Sequence, residues 1–287
     1  MNYIYLMSKV GFIGMGRMGY NMAINLNKHF ETYVWNRSVE KSLKHSKEFG
    51  TKCIEDVSTM PSKCNVIFFC LPTHNEVKDV ISILKPNLNE SHVLIDCTSS
   101  DSGVQKEIYN DLIKDNIYFF DAPVSGGPSK AFTGELTCMV GGNKDKYSFV
   151  EPILKTISNP IYVGDVGNGC AIKAINNILN VSHLCLAAEA IQSLSDLGID
   201  KKVALEVINK SSGRSLMTEE RLPVDVFEKD YNFGFSLGLM NKDVGLAMKL
   251  IKNPIMFSKI KSLLNDSLDK YGYDSDYTEI CKLYFES

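Results

Sequence analysis

The chain has 287 residues, of which 44% are hydrophobic and 23% charged, enough for one large domain or two ordinary ones around a sizeable core. A net charge of −3 lacks the basic footprint of a general nucleic-acid binder, although a local pocket for a phosphate stays open. The eight cysteines form no C-x-x-C pair and the five histidines no i,i+4 pair, which argues against a disulfide framework and gives no metal site.

Met1–Lys9 is too short and too weakly basic for a transit peptide and has no signal-peptide apolar run. No later stretch approaches the roughly 20 apolar residues of a membrane span, so a cytoplasmic protein with no membrane partner is expected. From Val10 to Val163, strand-length apolar runs (Lys9–Ile13, Thr32–Asn36, Val66–Cys70, His92–Asp96, Ile117–Asp121, Leu136–Val140 and Ile161–Val163) alternate with helical stretches such as Arg17–Lys28 and Val77–Leu84. The alternation predicts an α/β, Rossmann-type, doubly wound and mainly parallel sheet, with ligands beyond the carboxyl ends of the strands.

The first strand runs into Gly14-Met15-Gly16-Arg17-Met18-Gly19, the spacing G-x-G-x-x-G. The first glycine suits a tight turn, the second lets backbone approach a pyrophosphate, and the third lets helix and strand pack closely. A phosphate is then received by the free N–H groups of the helix N-terminus. Glycines punctuate many turns, so the strand before and the helix after carry as much weight as the spacing.

At the end of the second strand, Asn36-Arg37-Ser38 stands where an NAD enzyme places an acidic residue for the ribose 2′-hydroxyl. A neutral amide removes the repulsion on a 2′-phosphate, and a guanidinium offers it paired donors. The expectation is NADP(H) before NAD(H); a solvated arginine is the plain alternative.

Asp121-Ala-Pro-Val-Ser125-Gly126-Gly127-Pro128 presents backbone N–H groups in a loop without bulk, a nest that suits a carboxylate. Gly164 to Gly169 opens an uninterrupted helical pattern from Cys170 to Leu197, closed by Gly198. At 1.5 Å per residue that helix is roughly 40 Å long. Its apolar positions cover more than one stripe, which predicts burial on several sides and a subunit contact. Lys173 and Asn177 share one face near its start. A lysine there opposes the helix dipole, a mismatch that lowers its pKa towards the range useful for proton transfer. By periodicity alone it is a solvated surface charge. Later, Lys242-Asp243 interrupts an apolar helical run and reads plainly as an exposed ion pair. The expected division is 1–169 for cofactor binding, 170–197 as a long connecting helix, and 198–287 as an all-helical domain.

Taken together, the glycine fingerprint, Leu71-Pro72-Thr73, the Asp121–Gly127 loop, Lys173/Asn177 and Lys242-Asp243 resemble the β-hydroxyacid dehydrogenases, in order and over nearly the whole chain. That group includes 3-hydroxyisobutyrate dehydrogenase and the tartronate, glyoxylate and succinic semialdehyde reductases, and Ser211–Ser215 is similar to a stretch of the first. The resemblance implies an NAD(P)-dependent dehydrogenase or reductase acting on a small carboxylate substrate, and a homo-oligomer, dimer or tetramer. Lys173 matches the catalytic lysine and Asn177 the asparagine that orients it and the substrate. Ser125, Gly126 and Gly127 match the carboxylate-binding loop, Leu71 and Pro72 the nicotinamide side, and Lys242 a lysine reaching from the helical domain. Ser99 stands where relatives often have threonine, so the hydroxyl survives without the methyl. A catalytically silent dinucleotide-binding scaffold is the rival reading; such scaffolds typically lose the lysine or add a reader domain.

Overall fold

A computed structural model describes residues 9–286, so the reading of the N-terminal extension falls, apart from Lys9, outside the described residues. In chain order the first unit contains β1 (Lys9–Ile13), α1 (Arg17–Asn27), β2 (Glu31–Trp35), α2 (Val39–Phe49), β3 (Lys52–Cys53), β4 (Val66–Phe69) and α3 (His74–Leu84). It continues with β5 (Val93–Asp96), α4 (Ser102–Leu112), β6 (Tyr118–Asp121), β7 (Val124–Ser125), α5 (Gly127–Thr133), β8 (Leu136–Gly141), α6 (Lys144–Leu154) and β9 (Ser158–Gly164).

The strands form one sheet in the order β3-β2-β1-β4-β5-β6-β8-β7, with β9 paired to β8. Every pairing is parallel except β6 with β8 and β7 with β8. Strand order reverses at β1, flanked by β2 and β4, the switch point at which such sheets bind ligands. Ile13, Phe69, Asp96 and Asp121 share one rung of the ladder, which sets the carboxyl ends of β1, β4, β5 and β6 level.

The apolar runs are continuous rather than alternating because both faces of the sheet are covered. Val66, Phe68, Val93, Ile95 and Phe120 pack on one face with α1 residues Met22 and Leu26. Their neighbours Ile67, Phe69, Leu94 and Phe119 pack on the other with Val77, Ile81 and Leu84 of α3.

The chain folds as two compact units that divide inside α7 (Asn168–Asp196), between Lys173 and Ala174. The second unit is helical: the rest of α7, α8 (Lys201–Asn209), a π-helix over Met217–Glu228, α9 (Leu237–Leu250) and α10 (Phe257–Tyr271). Its core gathers Ile178, Val181 and Leu184 of α7 with Leu222, Met240, Leu264 and the fully buried Tyr277. Burial of α7 is less complete than its sequence predicts. Ile172, Leu179 and Leu186, seven residues apart, return to one face and are exposed. The eight cysteines are all free thiols; six are buried, and Cys53 and Cys70 are half-buried.

Candidate active site

The glycine loop sits at the switch point, and its three glycines answer to different constraints. Gly14 has φ +108°, and a Cβ there would collide with the Cys70 carbonyl oxygen; one on Gly19 would collide with the carbonyl oxygen of Gly14. A Cβ on Gly16 would meet nothing within 4 Å. Packing of strand and helix therefore requires the first and third glycines, and it leaves the second free of any demand from the fold. Gly16, the N-cap residue of α1, has no side chain to cap the first turn, and among the described residues no carboxylate lies in that turn. A positive helix end, clear of side-chain bulk, fits a pyrophosphate.

Asn36 is joined to this loop directly. Its Oδ1 accepts from the Met15 N–H at 2.9 Å, while its Nδ2 donates to the Ser38 carbonyl at 3.1 Å. Arg37 is exposed at the same strand end. Its charge reaches Glu76 of α3: burial opposes that carboxylate, but hydrogen bonds from Thr73 and the nearby guanidinium bring it below its ordinary pKa. Thr73 and Glu76 form a capping box that starts α3 straight after Leu71-Pro72. The T-x-x-E spacing is the signal by which sequence reasoning could have found this start.

Leu71 is anchored from the next strand. Its N–H donates to Thr98 Oγ1 at 3.0 Å, and the Thr98 N–H donates to Asp96 Oδ1 at 2.9 Å. The hydroxyl that fixes the Leu71-Pro72 step is thus that of buried Thr98, while the predicted Ser99 is half-buried beside it. Ser125 ends β7, and Gly126 and Gly127 follow with φ +139° and +75° into α5.

Asp121 has a part that sequence reasoning did not give it. Its carboxylate is fully buried, with Oδ1 accepting from the Gly167 N–H at 2.7 Å and Oδ2 from the Cys170 N–H at 2.8 Å. It closes the N-terminal turn of α7. Burial pushes its pKa up to about 6, against the opposing pull of those two amides. Lys173 lies half-buried in the second turn of the same helix. The dipole mismatch argued from sequence therefore needs correction, because the positive end of α7 already carries a resident carboxylate.

In the second unit, Asn177 is buried and its Nδ2 donates to Asp243 Oδ2 at 2.6 Å. Lys242 Nζ lies 3.2 Å from Asp243 Oδ1. The Lys242-Asp243 pair is not the exposed ion pair of the plain reading: Asp243 is 2% exposed and spends one oxygen on Asn177. Among the described residues no cluster of three His, Cys, Asp or Glu side chains suits a metal ion, and no helix is long and apolar enough to cross a membrane.

Comparison with known proteins accounts for nearly the whole chain. The family described as the NAD binding domain of 6-phosphogluconate dehydrogenase matches residues 9–167. The family described as NAD-binding of NADP-dependent 3-hydroxyisobutyrate dehydrogenase matches residues 167–284. Mitochondrial 3-hydroxyisobutyrate dehydrogenase of Homo sapiens is 33% identical over 286 residues, covering 94% of this chain and 85% of its own length. The 2-(hydroxymethyl)glutarate dehydrogenase of Eubacterium barkeri is 32% identical over 246 residues, covering 84% and 81%. Among solved structures, Mycobacterium tuberculosis 3-hydroxyisobutyrate dehydrogenase with L-serine superposes with a TM-score of 0.89 at 23% identity, over 96% of this chain and 99% of that one. Psf3 in complex with NADP+ and 2-OPP gives a TM-score of 0.87 at 24% identity, again over 96% and 99%. These two share the fold.

Proposed function

The chain belongs to the β-hydroxyacid dehydrogenase family, and from that premise we propose that it moves hydride between NADP(H) and a small β-hydroxy acid or its semialdehyde, with Lys173 transferring the proton. The bound dinucleotide supplies or removes the hydride at the carbon bearing the carbonyl or hydroxyl. Residues 1–169 serve cofactor binding, 170–197 connect, and 198–287 form the helical domain.

Gly14, Met15, Gly16, Met18 and Gly19 hold the pyrophosphate, supported by the open space at Gly16 and the uncapped start of α1. Asn36, Arg37 and Ser38 take the ribose 2′-phosphate through the guanidinium fork. Leu71, Pro72 and Ser99 line the nicotinamide side, and Lys242 contributes from the helical unit. The N–H groups of Ser125, Gly126 and Gly127 bind the substrate carboxylate. In reduction, the Lys173 ammonium polarises the carbonyl and gives a proton to the forming alkoxide; in oxidation, the neutral amine receives it. Asn177 orients Lys173 and the substrate.

The observation that supports this reading most is that the helix carrying Lys173 is hydrogen-bonded at its start to Asp121, which leads directly into the Ser125–Gly127 loop. The test is consumption of NADPH and of NADH by the purified protein with glyoxylate, succinic, tartronate and methylmalonate semialdehydes. NADPH should be preferred, and the best substrate assigns the subfamily. Arg37→Ala should cost about 10–100-fold in kcat/KM with NADPH and leave the NADH value nearly unchanged. Equal use of both cofactors by the parent removes the Arg37 argument. Tight NADPH binding with no turnover on any of these carbonyls favours the scaffold reading.

A further inference from the structure

Several helices of this chain are capped by a neighbour in sequence. Asp101 accepts from Gly103 and Val104 to start α4, Asn143 from Lys146 to start α6, and Asp200 from Lys202 and Val203 to start α8. Such caps fix where a helix begins and nothing more. Asp121 closes α7 from 46 and 49 residues away, across the boundary between a strand end and a helix. A cap of that kind ties two elements together.

The tie is expensive in its surroundings. The carboxylate is fully buried, and the neighbouring position on the same rung of the sheet is Asp96, whose charge opposes ionisation of Asp121. Isolated buried charges are strongly disfavoured. The other β6 residues are Tyr118, Phe119 and Phe120, so an apolar side chain would suit the strand better. Space has nonetheless been kept for the carboxylate. A Cβ at Gly141 would collide with Asp121 Oδ1 and the Asp165 carbonyl oxygen, and one at Gly169 would collide with the Met139 carbonyl oxygen and stand 2.9 Å from Asp121 Oδ2.

The backbone of Asp121 leads elsewhere. It passes through Ala122, whose N–H donates to the Asp96 carbonyl at 2.7 Å, and Pro123, whose carbonyl accepts from Met139 at 3.0 Å, into Val124 and Ser125 paired on β8. One residue thus sends its main chain to the proposed carboxylate loop and its side chain to the helix of the proposed proton donor.

We propose that Asp121 is a positioning residue for the reaction: by binding the N–H groups of Gly167 and Cys170, its carboxylate fixes the first turn of α7 against the strand that delivers Ser125–Gly127, and so sets Lys173 relative to that loop. The proposal rests on the assignment of Lys173 as the proton-transfer residue. Because proton and hydride transfer both require close alignment, loss of the tie lowers kcat while ground-state binding of cofactor and carboxylate persists.

The experiment is Asp121→Asn in the full-length enzyme, alone and combined with Lys173→Ala. The amide keeps the shape and one acceptor but turns an NH2 towards a backbone N–H. We expect kcat to fall on the order of 10²-fold, with the NADPH dissociation constant and the KM of the carboxylate substrate within about threefold of the parent. In the Lys173→Ala background the same change should cost nothing further. A folded Asp121→Asn enzyme with kcat within about threefold of the parent overturns the proposal and leaves Lys173 untouched. An additive loss in the double variant also overturns it, since Asp121 then acts without Lys173. Near-parental activity of Lys173→Ala alone brings down the lysine assignment and this proposal together.

Should Asp121→Asn fail to fold, hydrogen exchange in the unaltered holoenzyme decides. Slow exchange at Gly167 and Cys170 supports the tie, and exchange as fast as at exposed amides overturns it.

Discussion

Helices α1 and α7 each follow a strand through a glycine-bearing turn, and their first turns are treated in opposite ways. Just before α1 the Met15 N–H is bound by the Asn36 amide, and among the described residues no carboxylate lies in the first turn of the helix. At α7 two N–H groups are bound by the carboxylate of Asp121. A helix N-terminus carries roughly half a positive charge. Left open, it receives an anion that comes and goes; closed by a resident anion, it tolerates a lysine in the next turn. On the proposed reading, the same device prepares one helix for a phosphate and the other for a cation.

The comparison predicts that each end can be broken without the other, and the largest effect belongs to α7. Lys173→Ala should lower turnover on the order of 10³-fold, within the usual range for a lost general acid–base group, while NADPH binding is retained. Loss of cofactor binding in that variant would mean the two ends are not separate. The converse experiment is at α1. Gly16→Ala should weaken NADPH binding about 10–100-fold with little change in melting temperature, because its Cβ meets nothing of the protein. Gly19→Ala sharpens the contrast, since its Cβ strikes the Gly14 carbonyl and should cost on the order of 1–3 kcal/mol of stability.

The last effect, of similar size, is one of pH. Asp121 has its pKa raised by burial to about 6, so the folded state holds that proton more tightly than the unfolded chain does. The stability it contributes is full below the ordinary carboxylate pKa and is lost as pH rises through about 6. Between about pH 4 and pH 7 the parent should therefore lose stability relative to Asp121→Asn, by on the order of 1–3 kcal/mol. A constant difference in melting temperature between the two would show that the charge carries no such cost.

What the sequence revealed and what it hid follow from the range of the interactions. Strands buried on both faces, such as Val66–Phe69 and Val93–Asp96, are unbroken apolar runs and could be read directly. The two-residue strands Lys52–Cys53 and Val124–Ser125 exist only through their partners, and the second is enclosed by proline and glycine. The π-helix over Met217–Glu228, with Pro223 inside it, gave a helical signal without its unusual winding. Lys242-Asp243 seemed exposed because helical periodicity marks polar residues but does not say which is turned inward. The buried amide that receives Asp243 lies 66 residues earlier in the chain. The bracing roles of Thr98 and Asp121 were hidden for the same reason, as their partners are 27, 46 and 49 residues distant. The family motifs named the backbone of the candidate site, and the side chains that brace it became visible only in three dimensions.

The distribution of thiols has a practical consequence. Cys97, Cys138 and Cys170 are buried in the first unit, and Cys185 and Cys281 in the second. Burial lifts Cys138 and Cys185 to about 12 and the other three well above the ordinary thiol value. Alkylating reagents attack the thiolate, so at neutral pH these sulfurs react only when the chain around them opens. Mass spectrometry of peptides after timed alkylation would then read the opening rate of each unit separately, from native residues and without any added probe.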